Sequence, residues 1–342
     1  MKVTVFGATG VIGTGLVEIL VKEHTDWEIT AVTRRSDPSS SNDCRLASLG
    51  LSNVQFKTAN PKDLSSVQEI TKDSDLIFCT IGFARYERKY WATHWPPIVD
   101  NLLSVVTKES GKKLIFCDNL YSYGNPAPDA VSTQQTTFVT PSLKSKPAIR
   151  ALLRQKFQHH MEKCPGQVTV VGASDFFGPH LTQVSFLGDT FIGKMVEGQT
   201  PLAIGSANCI HDFCYAKDFS RALAVAAVSP KAYDKFWICP NSIRNKTLQD
   251  IANDVAKILA KKQQQEEPSK DVKITVLSTW MLRLMSPFMG FAWEMLEMMH
   301  EWIKDYRIDA CDFDELQKSI ATPYEEALQE TVDFFLEQKT KK

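Results

Sequence analysis

The feature that most constrains this chain stands near its start: Gly7-Ala-Thr-Gly10-Val-Ile-Gly13, three glycines at fixed spacing. Residues 3–6 before it form a short apolar run of strand type. After it, Ile12, Leu16, Ile19 and Leu20 fall at i, i+4, i+7 and i+8, the apolar stripe of a helix. A strand that passes into a helix through such a turn has few architectures open to it. Gly7 and Gly10 permit a tight turn and let backbone N–H groups approach an anion, and Gly13 lets the helix seat closely on the sheet. The helix N-terminus adds a favourable field, so the turn fits a pyrophosphate. The alternative is a glycine-rich turn that binds nothing.

The same unit recurs. Residues 27–33 alternate as a second strand, and 53–57, 75–79 and 112–117 are further strands, with helical stretches near 64–72 and 97–109. Strands separated by helices predict a parallel sheet covered on both faces, an α/β, doubly wound sheet of Rossmann type that binds ligands beyond the carboxyl ends of its strands. Later the rhythm loosens: helices are expected at 144–164, 217–228 and 247–262, and strands at 167–172 and 236–239. Segments 36–43 and 261–271 read as solvated loops. The expected organisation is a dinucleotide-binding domain over 1–172. A smaller, mostly helical substrate-binding region follows over 173–342, with Rossmann elements returning at about 206–240.

Composition narrows the function. The 342 residues suit two units or one with an appendage. Lys and Arg total 39 against 40 Asp and Glu, which gives no electrostatic footprint for nucleic acid. The eight cysteines form no CxxC, so no zinc or other metal site is expected. A strand-like run from the second residue leaves no room for a targeting peptide. The most apolar stretch, 272–300, is broken by Arg283, Glu294 and Glu297. A cytoplasmic protein with no membrane partner is the expectation.

The end of the second strand selects the dinucleotide. An NAD site places Asp or Glu there to accept from the ribose 2′-hydroxyl. This chain has Thr33-Arg34-Arg35, and two guanidiniums suit a 2′-phosphate. NADP(H) is therefore expected ahead of NAD(H), the alternative being a solvated basic pair.

GATGVIG at this position resembles the extended short-chain dehydrogenase/reductase superfamily and, more narrowly, the NAD-dependent epimerase/dehydratase family. The likeness continues in order. Residues 116–124 (FCDNLYSYG) resemble the family's Ser-rich segment ending in Val-Tyr-Gly, and 172–179 (GASDFFGP) its Arg-x-x-Asn-Val-Tyr-Gly-Pro. Residues 211–218 (HDFCYAKD) resemble its Arg-Asp-Phe-Val-Tyr-Val-Asp-Asp, and 322–331 its closing helix. The resemblance implies cofactor contacts at Gly7, Thr9, Gly10, Val11, Ile12, Gly13, Arg34, Arg35, Asn60, Gly82, Asp118, Lys146 and Ser174. It implies substrate contacts at Phe83, Arg85, Tyr123, Asp175, Phe177 and His211.

One departure reshapes the expected chemistry. The family's Tyr-x-x-x-Lys, in which tyrosine is the acid/base and lysine lowers its pKa, occurs nowhere in this sequence. Ser142 to Lys146 keeps the lysine and puts serine in place of tyrosine, while Asn119 stands where the family has Ser or Thr. A serine hydroxyl is a poor proton donor beside a phenol. Tyr121, just beyond the fifth strand, becomes the candidate donor, unless it and Tyr123 simply wall the cleft. Asn119 would orient a carbonyl or stabilise the turn, and Lys146 would hold the ribose and tune a phenol. Histidine at 211, where sugar-nucleotide members often carry arginine, is a weaker phosphate anchor. Six of the nine methionines fall within 281–299, either an adaptable pocket or lid, or a core helix or homodimer contact, and Pro287 must break any helix there. The expected activity is an NADP(H)-dependent oxidoreductase acting on a carbonyl or activated alkene of a small, fairly apolar molecule. The alternatives are an epimerase/dehydratase that retains its nicotinamide cofactor, or a non-catalytic NADP(H) sensor.

Overall fold

The computed structural model describes residues 1–33, 45–124, 131–132, 138–266, 268–316 and 320–341. Its strands are β1 (Lys2–Phe6), β2 (Glu28–Thr33), β3 (Val54–Thr58), β4 (Leu76–Cys79), β5 (Lys113–Asn119), β6 (Val131–Ser132), β7 (Val168–Ala173) and β8 (Asp175–Phe177). There follow β9 (Leu202–Ile204), β10 (Phe213–Tyr215), β11 (Phe236–Ile238), β12 (Thr275–Leu277) and β13 (Ile308–Asp309). The helices are α1 (Val11–Glu23), α2 (Arg45–Ser48), α3 (Leu64–Ile70), α4 (Arg88–Val105), α5 (Lys146–Lys163) and α6 (Lys194–Val196). They continue with α7 (Ala216–Val228), α8 (Leu248–Lys262), α9 (Thr279–Met285), α10 (Gly290–Leu296) and α11 (Tyr324–Thr340).

Seven strands form one parallel sheet in the order β11-β7-β5-β4-β1-β2-β3, the doubly wound arrangement that the alternating pattern predicts. Its order reverses between β1 and β4, and ligands of such sheets bind beyond the strand ends at that point. Val3, Val5, Ile115 and Val171 face α1 and α7 on one side. Ile77, Leu114, Phe116 and Val170 face α4 and α5 on the other. A separate core lies beneath the two short parallel pairs β8·β10 and β9·β12, where Phe177, Phe213 and Tyr215 pack with residues of α8, α10 and α11.

Two expectations shift. The helix expected near 97–109 starts earlier and ends sooner, as α4 at Arg88–Val105, so Pro96 and Pro97 lie inside it. Burial of Trp91 and Trp95 from its first turns offsets the roughly 3 kcal/mol that an interior proline costs. Helix α5 begins only at Lys146, with the Ser145 hydroxyl accepting from the Ala148 N–H. Ser142 therefore lies in the loop before the helix, so it and Lys146 do not share a helical face. The pair one turn apart at this end is Lys146 and Arg150. Pro287 separates α9 from α10, as its chemistry requires. Among the described residues, no helix is long and apolar enough to cross a membrane.

Candidate active site

The glycine turn has the geometry of a cradle. Gly7 adopts φ +81°, and a Cβ there would stand 2.7 Å from the Thr80 carbonyl carbon at the end of β4. A Cβ on Gly13 would lie 2.2 Å from the Gly7 oxygen, so only glycine lets α1 seat on the turn. Gly10 is the N-cap and brings no side-chain cap, its own N–H donating to the Gly7 oxygen at 3.0 Å. The first N–H groups of α1 are thus left for another acceptor, which is what a pyrophosphate supplies. Thr9 is exposed, and Val11 and Ile12 are half-buried. The Ile12 carbonyl accepts from Ser220 at 3.0 Å, tying this turn to α7. Arg34 and Arg35 lie outside the described residues.

Other expected cofactor contacts have partners of their own. Asn60 is exposed after β3, its Oδ1 accepting from the Lys62 N–H at 3.1 Å. Gly82 stands in open space after β4. Ser174 is buried and donates to Asn241 Oδ1 at 2.7 Å. Asp118 is buried among α5 side chains, where its Oδ1 accepts from Arg150 at 3.0 Å and from the Asn119 N–H at 2.8 Å. Burial raises its carboxyl against the opposing pull of Arg150. Asn119 Oδ1 accepts from the Tyr121 N–H at 3.2 Å, so this side chain braces the turn.

Beyond the sheet lies a cavity of about 970 Å³. Arg85 and Tyr86 after β4, Tyr121 after β5 and Asp175 at the start of β8 form its polar end beside Phe83, and the segment 278–297 covers it through residues 286–295. The Tyr86 and Tyr121 rings meet edge to face with centres 6.3 Å apart, and the Tyr121 ring is parallel to Trp91 at 6.1 Å. Burial, ahead of the nearby Asp175 and Glu301 charges, holds both phenols well above the usual tyrosine range.

Asp175 is held from behind. Its Oδ2 is 2.9 Å from His211 Nε2, while His211 Nδ1 is 3.1 Å from the Glu301 carbonyl. A carbonyl can only accept, so Nδ1 carries a hydrogen, and a second proton must sit between Nε2 and the carboxylate. Trp302 stacks on the imidazole at 4.0 Å and fixes its plane. Behind this pair the buried Glu301 carboxyl is raised well above its ordinary value, by burial first and by Asp175 second.

Lys146 departs from its expected place. It is fully buried, and its Nζ lies 2.6 Å from Glu294 Oε2, 3.0 Å from Glu297 Oε2 and 2.8 Å from the Glu294 carbonyl. The same ammonium is 4.5 Å from the centre of the Tyr86 ring. It therefore joins α5 to the covering segment and to Tyr86, and its hydrogen-bond partners lie on that segment. Two expected substrate residues also move away from the cavity. Tyr123 is buried and accepts from Arg154 at 3.2 Å, and Phe177 is buried against Tyr215. Strand alternation would put Phe177 on the same face as Asp175, two residues before it on β8, yet Phe177 packs into the second core while Asp175 lines the cavity. His211 reaches the cavity only through Asp175. Arg85 lines it and pairs with Glu87 at 2.7 Å.

Tyr86 is the residue that sequence reasoning passed over. It stands one position beyond the stretch expected to touch substrate, and no motif marks it. In the sequence, Glu294 and Glu297 stand only as interruptions of an apolar run.

A family model described as the NAD dependent epimerase/dehydratase family matches residues 3–239. Among curated proteins, none matches the sequence. Solved structures with the same fold include dTDP-glucose 4,6-dehydratase from Bacillus anthracis in complex with NAD, at 15% identity and TM-score 0.77, covering 99% of this chain and 98% of that one. UDP-glucose 4-epimerase from Thermotoga maritima, with UDP-glucose, aligns over 100% of both chains at 17% identity and TM-score 0.75. UDP-N-acetylglucosamine 4-epimerase from Methanobrevibacter ruminantium, with UDP-N-acetylmuramic acid, covers 98% of each chain at 19% identity and TM-score 0.73.

Proposed function

Because the chain belongs to the NAD dependent epimerase/dehydratase family, we propose that it binds a nicotinamide dinucleotide across the glycine turn and keeps it through the reaction. It would oxidise a carbinol carbon of a small, fairly apolar molecule transiently and then return the hydride. This is the epimerase/dehydratase reading, which the family and the NAD-bound structural neighbours favour over net reduction of a carbonyl or alkene. The observation that carries it is the shared sheet edge: the cradle after β1 and the cavity after β4 and β5 flank one switch point.

When bound, the cofactor supplies a hydride acceptor and donor. Gly7, Gly10 and Gly13 give the pyrophosphate its backbone approach, with the first turn of α1 as donor. Tyr86 and Tyr121 both line the cavity, where either phenol could face a substrate oxygen. The Lys146 ammonium lies 4.5 Å from the centre of the Tyr86 ring and is shared with the Glu294 and Glu297 carboxylates, so it holds the ring in place while burial keeps the phenol protonated. Asp175, with the proton it shares with His211, is the second group able to hold a proton at the cavity floor. The two phenols and this carboxylate facing one cavity support an enzyme rather than a sensor. NADP(H) preference rests on Arg34 and Arg35 in the sequence, whereas neighbouring structures hold NAD.

Calorimetry with NADH and NADPH on the purified protein tests this reading. Binding of at least one, lost in Gly13→Ala, is the expected result, and no binding of either would overturn it.

A further inference from the structure

The proposal concerns what the cavity holds away from Tyr86 and Tyr121, and it rests on the reading that this cavity is the substrate site. Its far wall is hydrocarbon. Leu202 and Ile204 on β9 and Leu277 on β12 come from one parallel ladder, and Phe186, Phe291 and Met295 close around them. Every charge on the cavity wall is spoken for. Arg85 pairs with Glu87 at 2.7 Å, Glu294 with Lys146 at 2.6 Å, and Asp175 with His211 at 2.9 Å. Among the described lining residues Arg85 is the single cation, and its partner already balances it. A diphosphate placed here would meet carboxylates, neutral polar groups such as Gln183, Thr190 and Ser286, and apolar carbon, with no guanidinium or ammonium free of a carboxylate to neutralise it.

The covering segment continues the same chemistry outward. Residues 278–293 contain one charged side chain, Arg283. Phe288 is 89% exposed, and Phe291 and Trp293 are more than half exposed, while all three also line the cavity mouth. An apolar wall that runs from the floor to an exposed aromatic rim suits a ligand that prefers hydrocarbon to water at both places. A volume near the top of the range for small-molecule sites leaves room for more than the reacting group.

We infer that the substrate is an uncharged alcohol or carbonyl compound with an extended hydrocarbon tail, its oxygen at Tyr86 and Tyr121 and its tail along the Leu202–Ile204 and Leu277 wall. The tail takes the space that a phosphorylated group would need, and it enters between Phe288, Phe291 and Trp293.

A displacement titration tests this without knowing the substrate. N-phenyl-1-naphthylamine, an uncharged fluorophore bright only in apolar surroundings, is titrated into the full-length protein. It is then displaced by butan-1-ol, hexan-1-ol, octan-1-ol and decan-1-ol. Displacement should strengthen by up to about fourfold per added methylene. Uridine diphosphate should leave the signal unchanged. Phe291→Glu, at the exposed mouth, should weaken uptake at least tenfold, whereas Trp280→Ser, exposed but outside the cavity lining, should not. The inference is overturned by absence of fluorophore uptake, by displacement indifferent to chain length, or by displacement with uridine diphosphate. Loss of uptake in Trp280→Ser but not Phe291→Glu also overturns it, since the fluorophore would then sit on the outer surface. NADH binding by the same preparation is measured in parallel, so failure of the cofactor reading is seen separately from failure of the tail.

Discussion

Replacing Lys146 by methionine separates two accounts of this residue. If its ammonium is held inside the protein by the covering segment, methionine leaves two carboxylates facing each other with no cation. Lys146 has no exposed side-chain surface, and Glu294 and Glu297 are only 15% and 23% exposed. Removing one partner from a buried ion cluster costs about 3–5 kcal/mol. The cost should appear first where the cluster does its holding, in the segment that carries both glutamates. Opening of that segment frees the exposed Arg283 for trypsin. At about 3 kcal/mol, the open population rises roughly a hundredfold, and cleavage after Arg283 accelerates in proportion. The triple variant Lys146→Met, Glu294→Gln, Glu297→Gln should recover most of the loss, because no charge is left unpaired. NADH affinity should change little, since the ammonium is turned to the segment. A Lys146→Met protein with unaltered trypsin sensitivity and NADH binding weakened tenfold or more would refute this and return Lys146 to the ribose.

Three further predictions follow from the same geometry. Gly13→Ala places a Cβ 2.2 Å from the Gly7 oxygen, so the turn must shift and NADH binding should fall at least a hundredfold by calorimetry, with the circular dichroism spectrum retained. Tyr86 and Tyr121 stay protonated in the fold above the ordinary phenol range, so the unfolded chain gains by ionising first. Stability measured by urea should therefore fall as pH rises above about 10, and the double variant to phenylalanine should flatten that slope. The Glu301 carboxyl is likewise raised, so the native state loses stability as pH climbs above the unfolded value of about 4.3. Glu301→Gln should be more resistant to urea than the parent protein at pH 7 and no more resistant at pH 4.

How much of this was legible in the sequence depends on how local each interaction is. The glycine turn, the alternation of strands and helices, and the break at Pro287 depend on neighbours a few residues away, and the sequence carries them directly. The start of α4 does not, because burial of Trp91 and Trp95 against the sheet overrides two prolines. Tyr86 gains its place from Tyr121 and Lys146, and Lys146 gains its own from Glu294, 148 residues away. No spacing rule links such positions. The missing Tyr-x-x-x-Lys was plain to read, but its consequence was not. Helix α5 starts at Lys146, so the lysine projects from its first turn toward the covering segment, with Ser142 left in the loop.

The central claim is that the glycine cradle and the tyrosine pair serve one bound dinucleotide. A crystal structure of the protein with NAD tests it most directly. The pyrophosphate should lie over Gly10 and the first turn of α1, and the nicotinamide should border the cavity. Substrate-sized space should remain within about 3–3.5 Å of both the ring and the Tyr86 hydroxyl. A dinucleotide bound away from the glycine turn, or a nicotinamide separated from Tyr86 and Tyr121 by a wall of side chains, would contradict the account.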